Sequence, residues 1–138
     1  MDARRYLMQY EDADMKVKRL ESEYKQEQEL IDSVKSSADF DDVPIKKQNQ
    51  KAQEERIIRL ADKAEKLKEA KIEAIELRQE IIATINQVEG RAGEALYNKY
   101  IRLMNWTEVA VLMNYSWGGI QKLKKKGWAQ VDYILKRG

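Results

Sequence analysis

The amino-acid sequence predicts an all-α protein: a long N-terminal antiparallel helical hairpin of coiled-coil type, followed by a small helix-turn-helix module. Three observations predict it. Apolar and small residues recur at alternating three- and four-residue spacing on both sides of one break, which holds the chain's only proline, Pro44. Between Trp106 and Leu123, small, apolar, turn and cap residues fall at the offsets that two helices crossing through a tight turn require. Charge also divides at Gly90. Residues 1–89 hold 17 Lys and Arg against 21 Asp and Glu, a net of −4, whereas residues 90–138 hold 9 against 3, a net of +6. All three tryptophans, Trp106, Trp117 and Trp128, lie in the basic segment.

In the first arm Ala3, Tyr6, Tyr10, Ala13, Val17, Leu20, Tyr24, Ile31 and Val34 form a seam at heptad spacing, with Glu27 in one of its positions. The segment from Ser36 to Pro44 ends it, because the residue before a proline is driven out of helical geometry. In the second arm Ile57, Leu60, Ala64, Leu67, Ala74, Ile81, Ile85 and Val88 repeat the spacing; Lys71 and Arg78 interrupt it. Ile72, Ile75 and Ile82 start a second stripe beside the first. The pattern predicts helix, loop and helix over residues 1–89, each arm roughly 45–60 Å long at about 1.5 Å per residue. One partner helix covers one narrow stripe, so two stripes ask for two partners. The second partner is either a C-terminal helix or another subunit. Self-association as a homo-oligomer, with a dimer first, is the expectation; a monomer whose hairpin props up the C-terminal module is the alternative.

Residues 90–138 make the module, which is short for a core of its own. A helix is expected at about 91–103, where Ala95, Leu96, Tyr97, Tyr100, Ile101 and Met104 give an apolar face, with Gly90 and Gly93 as the hinge. Helices at about 107–113 and 116–126 follow, the second able to continue past Gly127 through Trp128, Val131, Ile134 and Leu135. Ala110 is small where the second helix crosses the first, and Val109, Met113, Ile120 and Leu123 close the wedge. Asn114 suits a left-handed turn. Thr107 and Ser116 are the expected helix caps.

Such a unit presents the N-terminal turns of its second helix to base edges. With Ser116 as cap and Ile120, Leu123 and Gly127 inward, Trp117, Gly118 and Gln121 are the candidates for base contact, Ser116 itself is counted in the DNA-binding surface, and Gln pairs well with adenine. Gly118 and Gly119 each cost about 1 kcal/mol against Ala inside a helix, yet let backbone approach a groove wall. A frayed first turn is the alternative. Lys122, Lys124, Lys125 and Lys126 read as phosphate contacts, or as ordinary solvation with a favourable macrodipole term. Trp106 and Trp128 read as core.

Glu94-Ala95-Leu96-Tyr97-Asn98-Lys99-Tyr100-Ile101, Asn105-Trp106-Thr107-Glu108-Val109-Ala110 and Met113-Asn114-Tyr115-Ser116 resemble small phage and prophage regulators. Their ends are similar to sigma-factor region 4, and they look like the late-operon activators called RinA and ArpU. The resemblance covers roughly the last 45 residues; over the hairpin it is one of layout. It implies a sequence-specific regulator, an activator of transcription, that binds promoter duplex DNA and assists RNA polymerase. Two departures stand out: Trp117-Gly118-Gly119 where sigma-like helices offer more Arg and Ser/Thr, and Gly127 where Ala is commoner. A terminase small subunit that recognises viral DNA for packaging is an alternative, although its DNA-binding part usually comes first. A coiled-coil adaptor whose basic end binds an acidic protein is another.

There is no Cys and no His. Disulfides, zinc sites of the usual kind, and Cys or His nucleophiles and bases are thereby excluded. Asp39, Asp41 and Asp42 cluster in the break, where a soluble loop is the simpler reading than a cation or acid–base site. The expectation is a protein that is not an enzyme, with no cofactor, metal or catalytic residue. No apolar run is long enough to span a bilayer, and no apolar segment follows Met1–Tyr6 as in a secretory signal, so a cytoplasmic location and no membrane partner are expected.

Overall fold

The computed structural model describes residues 1–38 and 46–138, with side chains at 1–34 and 50–138. These residues form α1 (Ala3–Ala38), α2 (Lys46–Ile85), α3 (Arg91–Tyr100), α4 (Trp106–Met113) and α5 (Trp117–Arg137). No strand occurs among the described residues. The all-α class and the order, a long hairpin and then small helices, agree with the sequence reading. Neither long helix contains Gly or Pro, so nothing interrupts its hydrogen-bond ladder. α1 starts at a cap the pattern did not flag: Asp2 Oδ1 accepts the Arg5 N–H at 2.9 Å. It runs through Ser36 and Ser37 to Ala38, three positions into the expected break; Asp39 to Pro44 lie outside the described residues.

Contacts divide the chain into two compact units, Met15–Ile72 and a composite of Met1–Asp14 with Glu73–Gly138. In the first, Val17, Leu20 and Tyr24 of α1 are half-buried and Ile31 is buried, which is the expected seam. On α2 the phase differs. Ile57 is 49% exposed and Lys71 is exposed, while Arg56, Lys63 and Ala70, each one residue or so earlier, turn inward beside Leu60 and Leu67. With Ala70 in the seam, Lys71 no longer interrupts it. Glu27 sits in the seam with 12% side-chain exposure and takes Arg59 Nε and Lys63 Nζ, each at 3.3 Å. The half-buried Lys63 can lay its methylenes along the seam while its ammonium reaches the carboxylate, whereas Arg59 reaches it from an exposed position. Desolvation pushes the Glu27 carboxyl up, but hydrogen bonds and charge from Lys63 and then Arg59 outweigh it and hold it below its ordinary value. Glu21 pairs with Lys71 at 3.8 Å; position falls along α1 as it rises along α2, as antiparallel arms require.

The composite unit gathers both chain ends. Ala3, Tyr6 and Leu7 of α1, Ile81 and Ile85 of α2, Val88, Ala92, Leu96 and Tyr100 of α3, and Val131 of α5 share one core. Tyr6 Oη and Thr84 Oγ1 are hydrogen-bonded at 2.8 Å. Asp132 Oδ1 accepts the Ala3 N–H at 2.7 Å, and Gln130 Oε1 accepts the Glu89 N–H at 3.0 Å. The boundary expected at Gly90 therefore does not coincide with the division by contacts. A helix-turn-helix of this length has little apolar surface of its own, and it closes its core on the ends of α1 and α2. The second stripe on α2 is covered only at Ile82, which packs on this core. Ile75 in this unit is 56% exposed, and Ile72 in the other is 47% exposed.

The expected glycine hinge resolves into two different roles. Gly90, with φ +71°, makes the left-handed turn that opens α3. Gly93 is buried inside α3, where a Cβ would lie 2.7 Å from the Val88 carbonyl oxygen. It serves close approach of backbone rather than bending.

Gly127 lies inside α5 with Leu96 against it: a Cβ there would meet Leu96 Cγ and Cδ1 at 3.0 Å. Leu96 is 0% exposed and has nowhere to move. Overpacking typically costs about 1–3 kcal/mol, more than the roughly 1 kcal/mol gained by replacing a helical glycine. Gly127→Ala is accordingly expected to lower the urea midpoint. Gly118→Ala, where a Cβ meets nothing within 4 Å, is expected to raise stability by up to about 1 kcal/mol.

Candidate nucleic-acid interface

α4 and α5 cross over a second small core of Ala95, Val109, Ala110, Met113 and Ile120, flanked by Met104, Trp106, Tyr115 and Leu123. Val109, Met113, Ile120 and Leu123, the wedge residues that the spacing singled out, and Ala110, the small crossing residue, are all among them. Asn114 ends α4 in the left-handed region, φ 65° and ψ 42°. The Tyr115 N–H then returns to the Ala110 carbonyl at 2.9 Å, satisfying an acceptor the helix end would leave open. Ser116 caps α5, its Oγ accepting the Gly119 N–H at 3.1 Å. Thr107 is not the cap of α4. Asn105 is, with its side-chain oxygen accepting the Glu108 N–H at 2.8 Å and its amide donating back to the Glu108 carboxylate. Asn followed three residues later by Glu is the capping-box spacing, so that signal was present in the sequence.

Arg91 locks this turn from outside. Its Nη2 donates to the Met113 carbonyl at 3.0 Å, its Nη1 pairs with Glu94 at 3.3 Å, and its guanidinium lies 5.6 Å from the Tyr115 ring centroid. One side chain of α3 thus neutralises the negative end of α4 and stacks on the turn.

Of the predicted contact residues, Ser116, Gly118, Lys122, Lys125 and Lys126 are exposed and Trp117 is 59% exposed; Gln121 is half-buried. Ile120 and Gly127 face inward, as expected, and Leu123 is half-buried. Lys124 differs from its neighbours. It is half-buried, with Nζ 5.0 Å from the Trp128 ring centroid and 5.7 Å from that of Trp106. Trp128 Nε1 donates to Tyr100 Oη at 2.9 Å, and the Tyr100 and Trp106 rings meet edge to face at 6.1 Å. An aromatic cage therefore fixes one ammonium at the surface of α5. Burial lowers the Lys124 pKa, and the charges of Lys125 and Arg4 lower it further.

Arg4 is a residue the sequence did not point to. The first turn of α1 is seated on α5 by the Ala3–Asp132 hydrogen bond, and Arg4, exposed, acts electrostatically on both Lys124 and Tyr100. Positive charge here belongs to a face and not to the whole unit: Met1–Asp14 with Glu73–Gly138 holds 12 Lys and Arg against 11 Asp and Glu, a net of +1.

Among the described residues no group of three or more His, Cys, Asp or Glu is placed to hold a metal ion. Asp39, Asp41 and Asp42 lie outside the described residues. No described helix is long and apolar enough to cross a membrane. Comparisons of the chain with protein-family models, curated proteins and solved structures return no match.

The buried tyrosines set an alkaline limit. Desolvation is the largest cause raising both Tyr6 and Tyr100, opposed by the hydrogen bonds from Thr84 and Trp128 respectively. A raised folded value means stability that is present below the ordinary tyrosine value and lost as pH rises through the folded one. Lys124 acts in the opposite sense, since its depressed value favours the fold once it is deprotonated. The unfolding free energy is expected to fall above about pH 10, and the variant Tyr6→Phe/Tyr100→Phe should shift that fall to higher pH in circular-dichroism melts.

Proposed function

We propose that this chain is a sequence-specific duplex-DNA-binding regulator of transcription that meets DNA through α5. The observation that carries the reading is the first turn of α5. It is capped by Ser116, presents Trp117 at 59% exposure, and holds Gly118 in open space where no packing calls for glycine. A bare backbone at that position admits a groove wall, Gln121 one turn on supplies a base contact, and Lys122, Lys125 and Lys126 supply phosphate contacts. The resemblance to the RinA and ArpU activators supports the same role, with RNA polymerase as a protein partner. For such a partner the outer side of α4 offers Val111, 77% exposed, and Leu112, 52% exposed. The exposed Ile72 and Ile75 support a homo-oligomer, a dimer first. No catalytic step, cofactor or metal enters this reading.

The test is fluorescence-anisotropy binding to duplex fragments from the chain's own gene neighbourhood across a salt series. Tight binding to one fragment with a steep salt slope supports the proposal. Weak and equal binding to every fragment favours the packaging role of a terminase small subunit, and no binding at low salt overturns the DNA reading in favour of the adaptor. Gln121→Ala should cost about 1–3 kcal/mol of discrimination at one base pair. Lys125→Ala should weaken all sequences alike and reduce the salt slope by about 0.9. Lys124→Ala is a poorer probe, because it also empties the Trp106–Trp128 cage.

A further inference from the structure

In the unit Met15–Ile72, α2 carries a second repeat on the side away from its seam. Ile58, Ala61, Glu65, Lys68 and Ile72 follow one another at alternating three- and four-residue steps, and all five are exposed. The seam residues Leu60, Lys63, Leu67 and Ala70 occupy the other face. Ile58 is 68% exposed and Ile72 47%. A partner for this face must cover an isoleucine at each end and answer one acid and one base between them. Among the described residues neither Glu65 nor Lys68 has an ion pair within the chain.

A second copy of the chain meets these demands in one arrangement. Across a two-fold axis, whatever residue i meets in j, j meets in i. With antiparallel helices and the axis passing between positions 65 and 68, Glu65 lies opposite Lys68 of the partner subunit, and Lys68 opposite Glu65 of the partner subunit. Ala61 then lies opposite Ile72, a small residue against a large one, on both sides of the axis. In sequence the same register numbers Ile58 against Ile75, the next residue of the repeat. Parallel helices would instead set Glu65 on Glu65 and Lys68 on Lys68. Sliding the antiparallel pair by one heptad sets Lys68 against Ile72 or against Ile58. A charged pair inside an apolar seam weakens it but fixes direction and register. The edge of the face holds Asp62, Lys66 and Glu69, of which Asp62 is already answered by Lys66 at 3.3 Å.

We propose that the chain forms a two-fold dimer in which the outer face of α2 packs antiparallel on that of a second copy, with two Glu65–Lys68 ion pairs at its centre. The inference rests on the homo-oligomer part of the reading above and is independent of DNA binding.

The experiment is sedimentation velocity on the full chain without DNA, over a concentration series, with helicity checked by circular dichroism. Glu65→Lys, Lys68→Glu, the double variant carrying both changes, and Ile72→Glu are compared with the wild type. Each single charge change turns two attractions into two repulsions and is expected to raise the dimer dissociation constant about tenfold. The double variant reverses every pair, restores complementarity, and should return to within about threefold of the wild type. Ile72→Glu should weaken the dimer with no such rescue. A wild-type dimer unmoved by the charge changes overturns the inference, because parallel helices or another surface would then hold it, and leaves the homo-oligomer reading standing. Single changes that dissociate the dimer while the double variant fails to restore it overturn the ion pairs and the register. A wild-type chain that stays monomeric throughout overturns the inference and the homo-oligomer reading together.

Discussion

The contact of Leu96 with Gly127 is the one on which the composite unit depends. Leu96 is completely buried at the centre of α3, and it fills the space that a side chain at 127 would need. That sets how closely α5 lies on α3. From this closeness follow the burial of Val131 one turn on, the reach of Trp128 Nε1 to Tyr100, and the placing of Asp132 under the first N–H groups of α1. A longer α3–α5 distance would open the Tyr100–Trp106–Trp128 cage and release Lys124. Glycine in mid-helix weakens a helix by roughly 1 kcal/mol, and here the packing of a whole leucine offsets it.

The polar groups of both units obey one rule. Where a charge is withdrawn from water it is met by opposite charge, as Glu27 is by Arg59 and Lys63, or by aromatic faces, as Lys124 is by Trp106 and Trp128. The two solutions differ in what they leave over. The Glu27 cluster answers the carboxylate with two cations in a seam between helices, a structural arrangement with nothing to offer a ligand. The Lys124 cage neutralises no charge, because a ring quadrupole attracts a cation without cancelling it. Its positive field therefore remains available at the surface of α5, beside Lys125.

Much of this was legible in the sequence, for a physical reason. Local geometry is encoded at fixed offsets: Ala110, Asn114, Ser116 and Ile120 each sit where a tight helix crossing dictates, and the structure places each there. Errors arose where two nearby residues fit one offset. Thr107 and Asn105 are both capping types, and Glu108, three residues after Asn105, distinguishes them: its N–H is the one capped. Ile57 and Arg56 both suit a three-four repeat, and the spacing favours the apolar one, whereas Arg56 is the half-buried residue and Ile57 is 49% exposed. What was not legible comes from contacts between residues distant in the sequence. Nothing in Ala3 announces Asp132, 129 residues on, and nothing in Gly127 announces Leu96. Periodicity states which face of a helix is buried and is silent on what buries it.

The glycines carry the last step. In the composite unit, four internal glycines have a reason in the fold. Gly90 adopts a left-handed φ, Gly93 passes against the Val88 carbonyl, Gly119 lies 3.2 Å from Tyr115 and the Ser116 cap at its would-be Cβ, and Gly127 receives Leu96. Gly118 has none: its φ is ordinary and its would-be Cβ meets open space. A sequence that accepts the propensity penalty of glycine at a position where the fold gains nothing is keeping that surface bare. Bareness at the first turn of α5, between an exposed Trp117 and a half-buried Gln121, has value only when something comes close to the backbone. The caged lysine and the neighbouring cations say what charge it carries. Shape and charge, set by different residues of α5, thus support the same proposed partner, the phosphate-walled groove of a duplex.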